Sequence, residues 1–295
     1  MGKLYIIGNG FDLHFGLHTS TSDYQQFLMT KHIYGQVDNA LDYFSIYGVD
    51  WSDFELSLSD FDFESIEEEN EQYPDYLSDH ESDRDNVVWN MEMLFESLNN
   101  AIDEALQDMV EAANEQIDEE LVNKEFSQPI QLFDNGDAVL SFNYTSTVER
   151  LFYRPNGVPI FHIHGFYENN EPLILGYKLY DRVKFPIRWK MNEENGDYYV
   201  EQQYEIAYDF YQQMGKTLQI NKLSDFLNKL SINEVIVLGH AMGEVDFEYM
   251  EIIDKMLNPA RWLVSWYDVN DKKDILNRGY SFVNKIQFCM IEDIL

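Results

Sequence analysis

Five short runs constrain this chain more than anything else in it: Leu4–Ile7, Ala138–Phe142, Ile160–Ile163, Val235–Leu238 and Leu263–Trp266. Each is almost continuously apolar and rich in Val, Ile, Leu or aromatic side chains. A strand apolar on both faces must be covered on both, as in a parallel sheet held between helices. Helical periodicity fills the intervals. It is clearest over Asn86–Leu121, where Val87, Met91, Leu94, Leu98, Ile102, Ala105, Met109, Ala113 and Ile117 recur every three or four residues. Further helices are expected at Ser22–Lys31, Ser52–Leu58, Ser146–Tyr153, Glu201–Leu230 (interrupted near Gly215) and Glu244–Leu257. Strands alternating with helices predict an α/β fold, a Rossmann-like, doubly wound, mostly parallel sheet. No strand pattern occurs between about residues 22 and 130. That stretch reads as a helical insertion within a single domain spanning 1–295.

Charge narrows the function classes. Lys and Arg number 20 and Asp and Glu 54, a formal net charge of −34. Such a surface repels phosphate backbones and anionic lipid, so neither nucleic acid nor a membrane is an expected direct partner. Hydrophobic residues at 45% still supply a core, which excludes wholesale disorder. Residues 50–85 concentrate fifteen Asp and Glu against the single basic residue Arg84. Two readings of this helical, acidic insertion stand: a solvated surface, or a surface presented to a basic partner. Cys289 is the only cysteine, so an intrachain disulfide framework and a multi-cysteine zinc site are both excluded. With no long apolar run and no signal-peptide pattern, a cytoplasmic location is expected.

In doubly wound sheets ligands bind beyond the carboxyl ends of the strands. Here those ends carry Gly8-Asn9-Gly10-Phe11-Asp12, Asn143-Tyr144-Thr145, His164-Gly165, Gly239-His240 and Asp268. Each is small or chemically capable, and this convergence says more than any one motif. Gly8-Asn9-Gly10 is compatible with a phosphate-approaching backbone and equally with a tight turn, since the full dinucleotide fingerprint is missing. His162 and His164, two residues apart, share a face on an extended strand. That allows a metal pair, with His240 or Asp246 as further ligands, or one catalytic and one structural imidazole; no third ligand is set by local spacing, and no metal is expected. Gly239-His240-Ala241-Met242-Gly243 has the outline of a nucleophile elbow. Ala241 occupies the nucleophile position, which excludes serine-hydrolase chemistry there. Asn143 suits either a turn or the orientation of a reacting oxygen.

Ile6-Ile7-Gly8-Asn9-Gly10-Phe11-Asp12, Gly16-Leu17 with Thr19-Ser20 and Tyr24, Trp51-Ser52-Asp53-Phe54-Glu55, Phe142-Asn143-Tyr144-Thr145, His162-Ile163-His164-Gly165 and Gly239-His240 through Asp246 together resemble, in order, the AbiH family of phage abortive-infection proteins. His18 stands where that family often has proline and Ala241 where serine is usual. More distantly, the same blocks resemble the sirtuin-like NAD-cleaving domains of antiphage effectors. That resemblance implies NAD held at Gly8 and Gly10, with Asn143 and His164 catalytic, although Thr145 replaces the usual aspartate and Ser141 the threonine. Sirtuin deacylases also carry a four-cysteine zinc module, which a chain with one cysteine cannot build.

The function expected from residues and resemblance together is hydrolysis of the nicotinamide–ribose bond of NAD by an antiphage effector. NAD is then a substrate, and no cofactor is expected. His164 would act as base and Asn143 would orient water or a ribose hydroxyl. Asp12 or Asp246 would bind ribose hydroxyls, and Asn9, Thr19, Gly239 and His240 complete the nucleotide-binding set. The expected partners are NAD or a related nucleotide, further copies of the chain in a homo-oligomer, and a phage or host protein as trigger. The alternative is a nucleotide-sensing or protein-interaction module without catalysis. A nuclease would need a metal and a basic groove, and the composition opposes both.

Overall fold

The computed structural model describes residues 2–35, 75–122, 128–178 and 198–295. The expected helix Ser52–Leu58, the Trp51–Glu55 block and the acidic stretch as far as residue 74 lie outside them.

Strand β1 (Gly2–Ile7) sits at the middle of a six-stranded sheet with β2 (Ala138–Ser141), β3 (Ile160–His162), β6 (Ile232–Leu238), β7 (Arg261–Ser265) and β8 (Ile286–Cys289), in the order β3-β2-β1-β6-β7-β8. All five pairings are parallel, with Leu4 opposite Ala138 and Val235. The two halves wind outward from the centre in opposite directions, the order of a dinucleotide-type doubly wound sheet. Chain order therefore reverses between β1 and β6.

The continuous apolar character of the central strands is explained by burial on both faces. Leu4, Ile6, Leu140, Val235, Val237, Trp262 and Val264 join one core cluster, together with Tyr249, Met250 and Ile253. Tyr5, Ile7, Val139, Ile236 and Leu238 join the other, with Val148, Leu151 and Ile117. Each fully buried aliphatic side chain contributes about 1.5–3 kcal/mol. Trp262 is fully buried and still satisfies its indole N–H, which donates to Asp254 Oδ1 at 2.9 Å.

The helices of this part are α1 (Asn9–His14), α4 (Thr147–Leu151), α6 (Ile220–Leu227), α7 (Phe247–Leu257) and α8 (Val269–Asn277). Contacts divide the chain into two compact units. The first, Met1–Ser20, Met109–Ile174 and Leu218–Leu295, holds the sheet. The second, Thr21–Asp108 and Leu175–Thr217, holds α2 (Thr21–Met29), most of α3 (Glu81–Val122), α5 (Tyr198–Gln213) and a two-stranded parallel ladder of β4 (Tyr177–Lys178) with β5 (Gly215–Lys216). Within the second unit Tyr24 Oη donates to the Ile102 carbonyl at 3.1 Å, and Phe95 packs on Phe210 with ring centroids 4.6 Å apart. All nine apolar positions expected on one stripe of α3 are buried.

The sheet contains the five expected strands, with ends shifted by one to three residues. It also contains β8, where Ile286, Phe288 and Cys289 are half-buried and Gln287 is exposed. An edge strand needs no continuous apolar run. Helix α8 has no counterpart among the expected helices, and a capping box starts it. Asp268 Oδ1 accepts from the Asn270 N–H at 2.7 Å, and Asp271 Oδ2 from the Asp268 N–H at 2.8 Å.

Candidate functional site at the strand-order switch

The site lies wholly in the sheet-bearing unit, at the carboxyl ends of β3, β2, β1 and β6. The segments that follow β1 and β6 are pressed together. The Gly8 N–H donates to the Leu238 carbonyl at 3.0 Å and the Gly10 N–H to the Gly239 carbonyl at 2.7 Å. A β-carbon on Gly8 would stand 2.6 Å from His240 Cα, and one on Gly239 would stand 2.0 Å from the Phe11 nitrogen. Gly239 also takes φ +64°, a conformation that favours glycine. The Gly8 and Gly10 N–H groups, expected in the nucleotide-binding set, donate to main-chain carbonyls here, and the glycines are required by the close approach of the two segments. Asn9 is the exposed residue between them, its Nδ2 donating to the Thr19 carbonyl at 2.8 Å, while Thr19 itself is buried.

The Gly-Asn-Gly segment is the start of a helix and not a loop, because Gly8 in extended conformation is its N-cap. Helical phase then turns Asp12 inward. Asp12 is 1% exposed, with Oδ2 accepting from Thr145 Oγ1 and Oδ1 from Thr147 Oγ1, both at 2.6 Å. Burial pushes the Asp12 carboxyl up to about 6, against the hydroxyls of Thr145 and Thr147, the Asn143 amide and His162, which all favour its charged form. The structure places this carboxylate beneath the loop after β2 and commits both of its oxygens there.

That loop carries Asn143, also buried. Its Nδ2 donates to the Gly8 carbonyl at 3.1 Å and its N–H to Ser141 Oγ at 3.1 Å. Its carbonyl is 2.9 Å from His162 Nδ1, whose ring stacks on Phe166 at 4.2 Å. A carbonyl only accepts, so His162 Nδ1 carries a hydrogen; its Nε2 lies 2.9 Å from Glu149 Oε1.

His162 and His164 do not share a face. Strand β3 ends at His162, and the chain then turns through Gly165 at φ +94°. Period-two alternation holds only while a strand continues, so His164 swings to the opposite side of the sheet. There Phe142 packs edge-on against both His164 and His240, with centroids 5.0 and 4.2 Å away. Asp246 lies between the two imidazoles: Oδ1 is 3.5 Å from His164 Nε2 and Oδ2 is 3.4 Å from His240 Nε2. The Met242 N–H donates to His240 Nδ1 at 2.8 Å. Met242 is held at φ +51°, its carbonyl accepting from Arg278 Nη1 and from Tyr280 Oη.

The structure thus brings together Gly8, Asn9, Gly10, Asn143, His164, Gly239, His240 and Asp246. It turns Asp12 into the support of the Asn143 loop. Sequence reasoning missed Glu149, Thr147, Ser265 (whose Oγ accepts from the Gly239 N–H at 2.9 Å) and the Arg278–Tyr280 pair. None of these has a local pattern that separates it from an ordinary surface or core residue. Chemically, the arrangement offers an imidazole facing a carboxylate, and a carboxamide fixed on Gly8 at the end of the neighbouring strand. Among the described residues no group of three or more His, Cys, Asp and Glu is placed to hold a metal ion. No described helix is long and apolar enough to cross a membrane.

No curated protein matches the chain. The family described as bacteriophage abortive infection AbiH matches residues 4–266, which takes in the sheet from β1 through β7 and the residues of the site above other than Arg278 and Tyr280. A match over that much of the sequence identifies the chain as a member of the AbiH family, with the role in phage abortive infection that the family carries.

Proposed function

We propose that the chain serves abortive infection by hydrolysing the bond between nicotinamide and ribose in NAD. The observation that carries this reading is that Asn143, tied to Gly8, and His164, 3.5 Å from Asp246, follow neighbouring strands at the switch-point edge of a sheet with dinucleotide-type strand order. The likeness of the Gly8, Asn143 and His164 blocks to sirtuin-like NAD-cleaving domains supports it. Nicotinamide leaves as a neutral group, so the protein must chiefly stabilise a cationic ribose and position one oxygen nucleophile. His164 accepts a proton from that oxygen and Asn143 orients it. Asp246 adds negative charge beside the developing cation. Net charge opposes a dianionic substrate, but surface charges beyond about 8 Å are screened at physiological salt. Assembly into a homo-oligomer and release by a phage or host protein belong to the same proposal. The test is direct: purified protein is incubated with NAD, and nicotinamide and ADP-ribose are quantified by chromatography. Stoichiometric release of both supports the reading.

One observation favours the second reading, a nucleotide-sensing module without catalysis. His164 is only 5% exposed, and the Gly8 and Gly10 N–H groups are already engaged. Saturable NAD binding by calorimetry with no release of nicotinamide would establish that reading in place of the first.

A further inference from the structure

Asp246 occupies the N-cap position of α7, where an aspartate ordinarily accepts a hydrogen bond from the first turn of its helix. Its side chain makes no such bond. Both oxygens instead face imidazoles, His164 Nε2 at 3.5 Å and His240 Nε2 at 3.4 Å, in a setting where Asp246 and His164 are 8% and 5% exposed. The backbone after β6 is shaped to hold His240 in this pose. Met242, a residue with a β-carbon, sits in the left-handed region that favours glycine. The Tyr280 hydroxyl at 2.8 Å and the Arg278 guanidinium on its carbonyl keep it there. The consequence is that the Met242 N–H points back at His240 Nδ1, 2.8 Å away.

That single N–H decides a proton. Because it donates, His240 Nδ1 must present a lone pair, and in the neutral ring the hydrogen is on Nε2, facing Asp246. A carboxylate only accepts, so it favours the same Nε2–H form in His164. The basic nitrogen of neutral His164 is then Nδ1.

We infer that Asp246 is a positioning residue whose carboxylate, at 3.5 and 3.4 Å and so beyond a formed hydrogen bond, favours the Nε2–H form of both rings by its charge and thereby selects the His164 tautomer whose base is Nδ1. The inference deepens the proposed NAD chemistry and rests on it for its catalytic meaning, but the proton arrangement is measurable without any substrate. Asp246, expected to bind ribose, and His240, expected to bind nucleotide, become the support of the catalytic imidazole. Among the described residues, the charged or titratable groups that face this unit include His164, His240, Tyr144, Tyr249, Arg278, Tyr280 and Glu251.

The informative variant is Asp246→Asn. An amide of the same shape offers one acceptor and one donor, so only one imidazole can keep its Nε2–H toward position 246. His240 is fixed by Met242, and His164 is the ring that must move its hydrogen to Nδ1. Loss of the carboxylate leaves the shape intact and puts the proton on the wrong nitrogen.

The experiment uses the full chain labelled with 15N-histidine, at a pH of about 8.5 where an ordinary imidazole is neutral. Long-range 15N–1H correlation spectra distinguish the two tautomers, and His164→Gln and His240→Gln assign the signals. Both rings are expected as Nε2–H in the native chain. In Asp246→Asn, His164 is expected as Nδ1–H with His240 unchanged, and nicotinamide release is expected to fall about a hundredfold to ten-thousandfold. A native His164 in the Nδ1–H form overturns the inference, and that spectrum decides even if the variant does not fold. A folded Asp246→Asn in which His164 stays Nε2–H overturns it too. If the tautomers behave as expected and the native chain releases no nicotinamide, the NAD reading fails and the assignment of Asp246 stands.

Discussion

Gly8 and His240 approach so closely that a β-carbon on the glycine would lie 2.6 Å from the histidine side-chain Cβ as well as from its Cα. The relationship joins the two halves of the sheet at the point where strand order reverses. It also explains why the Gly-Asn-Gly and Gly-His segments are built from small residues without appeal to a phosphate. The same packing makes Gly239 the least replaceable glycine of the site. Gly16, also at positive φ (+76°), has nothing within 4 Å of the point where a β-carbon would stand, so Gly16→Ala bears only the conformational cost of about 1–2 kcal/mol. Gly239→Ala should lose a further 1–3 kcal/mol, roughly, to overpacking against Phe11. Urea unfolding of the two variants measures the gap, and equal losses would remove the close-approach argument.

Asp12 should make stability depend on pH in a particular direction. Its carboxyl is raised from 3.8 to about 6, so between those values the folded chain holds a proton that the unfolded chain has released. Stability contributed by this group is therefore greatest below pH 4 and declines as pH rises to 6, by about 3 kcal/mol at 1.36 kcal/mol per pKa unit. Asp12→Asn keeps the shape and can still engage Thr145 and Thr147. Subtracting its unfolding free energy from that of the native chain, from pH 4 to pH 7, should isolate the decline. A flat difference would show that Asp12 is not the buried acid described.

His164→Ala and Asn143→Ala should each lower nicotinamide release about a hundredfold or more and relieve toxicity in cells. Melting temperature has to be followed in parallel, since Asn143 also ties the loop after β2 to Gly8. Two folded variants with full toxicity would remove the NAD reading.

Glu149 should matter for stability and not for the identity of the reaction. Glu149→Ala leaves His162 Nε2 buried opposite no partner, a cost of about 1–3 kcal/mol. Glu149→Gln keeps a polar side chain of the same shape, able to face that nitrogen with either its oxygen or its amide, and should recover most of it in thermal melts. A Glu149→Ala variant as stable as the native chain would mean that the 2.9 Å contact contributes nothing.

With a formal charge of −34, the folded chain should gain stability as salt screens its self-repulsion. The melting temperature is expected to rise by several degrees, roughly, between 50 and 500 mM sodium chloride. A fall over that range would locate the dominant charge effect in specific ion pairs such as Lys285–Asp254, at 2.8 Å.

Several features were legible because their physics is local. Burial on both faces demands unbroken apolar strands, so Leu4–Ile7, Ala138–Ser141 and Val235–Leu238 could be read directly, and with them the strand ends at Gly8, Asn143 and Gly239. The stripe of α3 follows from a period of 3.6 residues in the same way. Where local rules ended, the reading failed for identifiable reasons. Alternation placed His162 and His164 on one face, but it applies only inside a strand, and β3 stops at His162. Glycines suggested a loop after β1, whereas a helix begins at once and its phase sends Asp12 into the interior.

By itself, then, the sequence determined the class of fold, the strands that make it and the edge at which chemistry-bearing residues gather. Which strand lies beside which was decided only by tertiary packing, and that adjacency brought Asp246 between His164 and His240 and set Glu149 against His162. The physical reason is one of range. Periodicity and burial act on neighbours along the chain, whereas the partner of a buried polar group is whatever donor or acceptor the packing of distant segments leaves within about 3 Å of it.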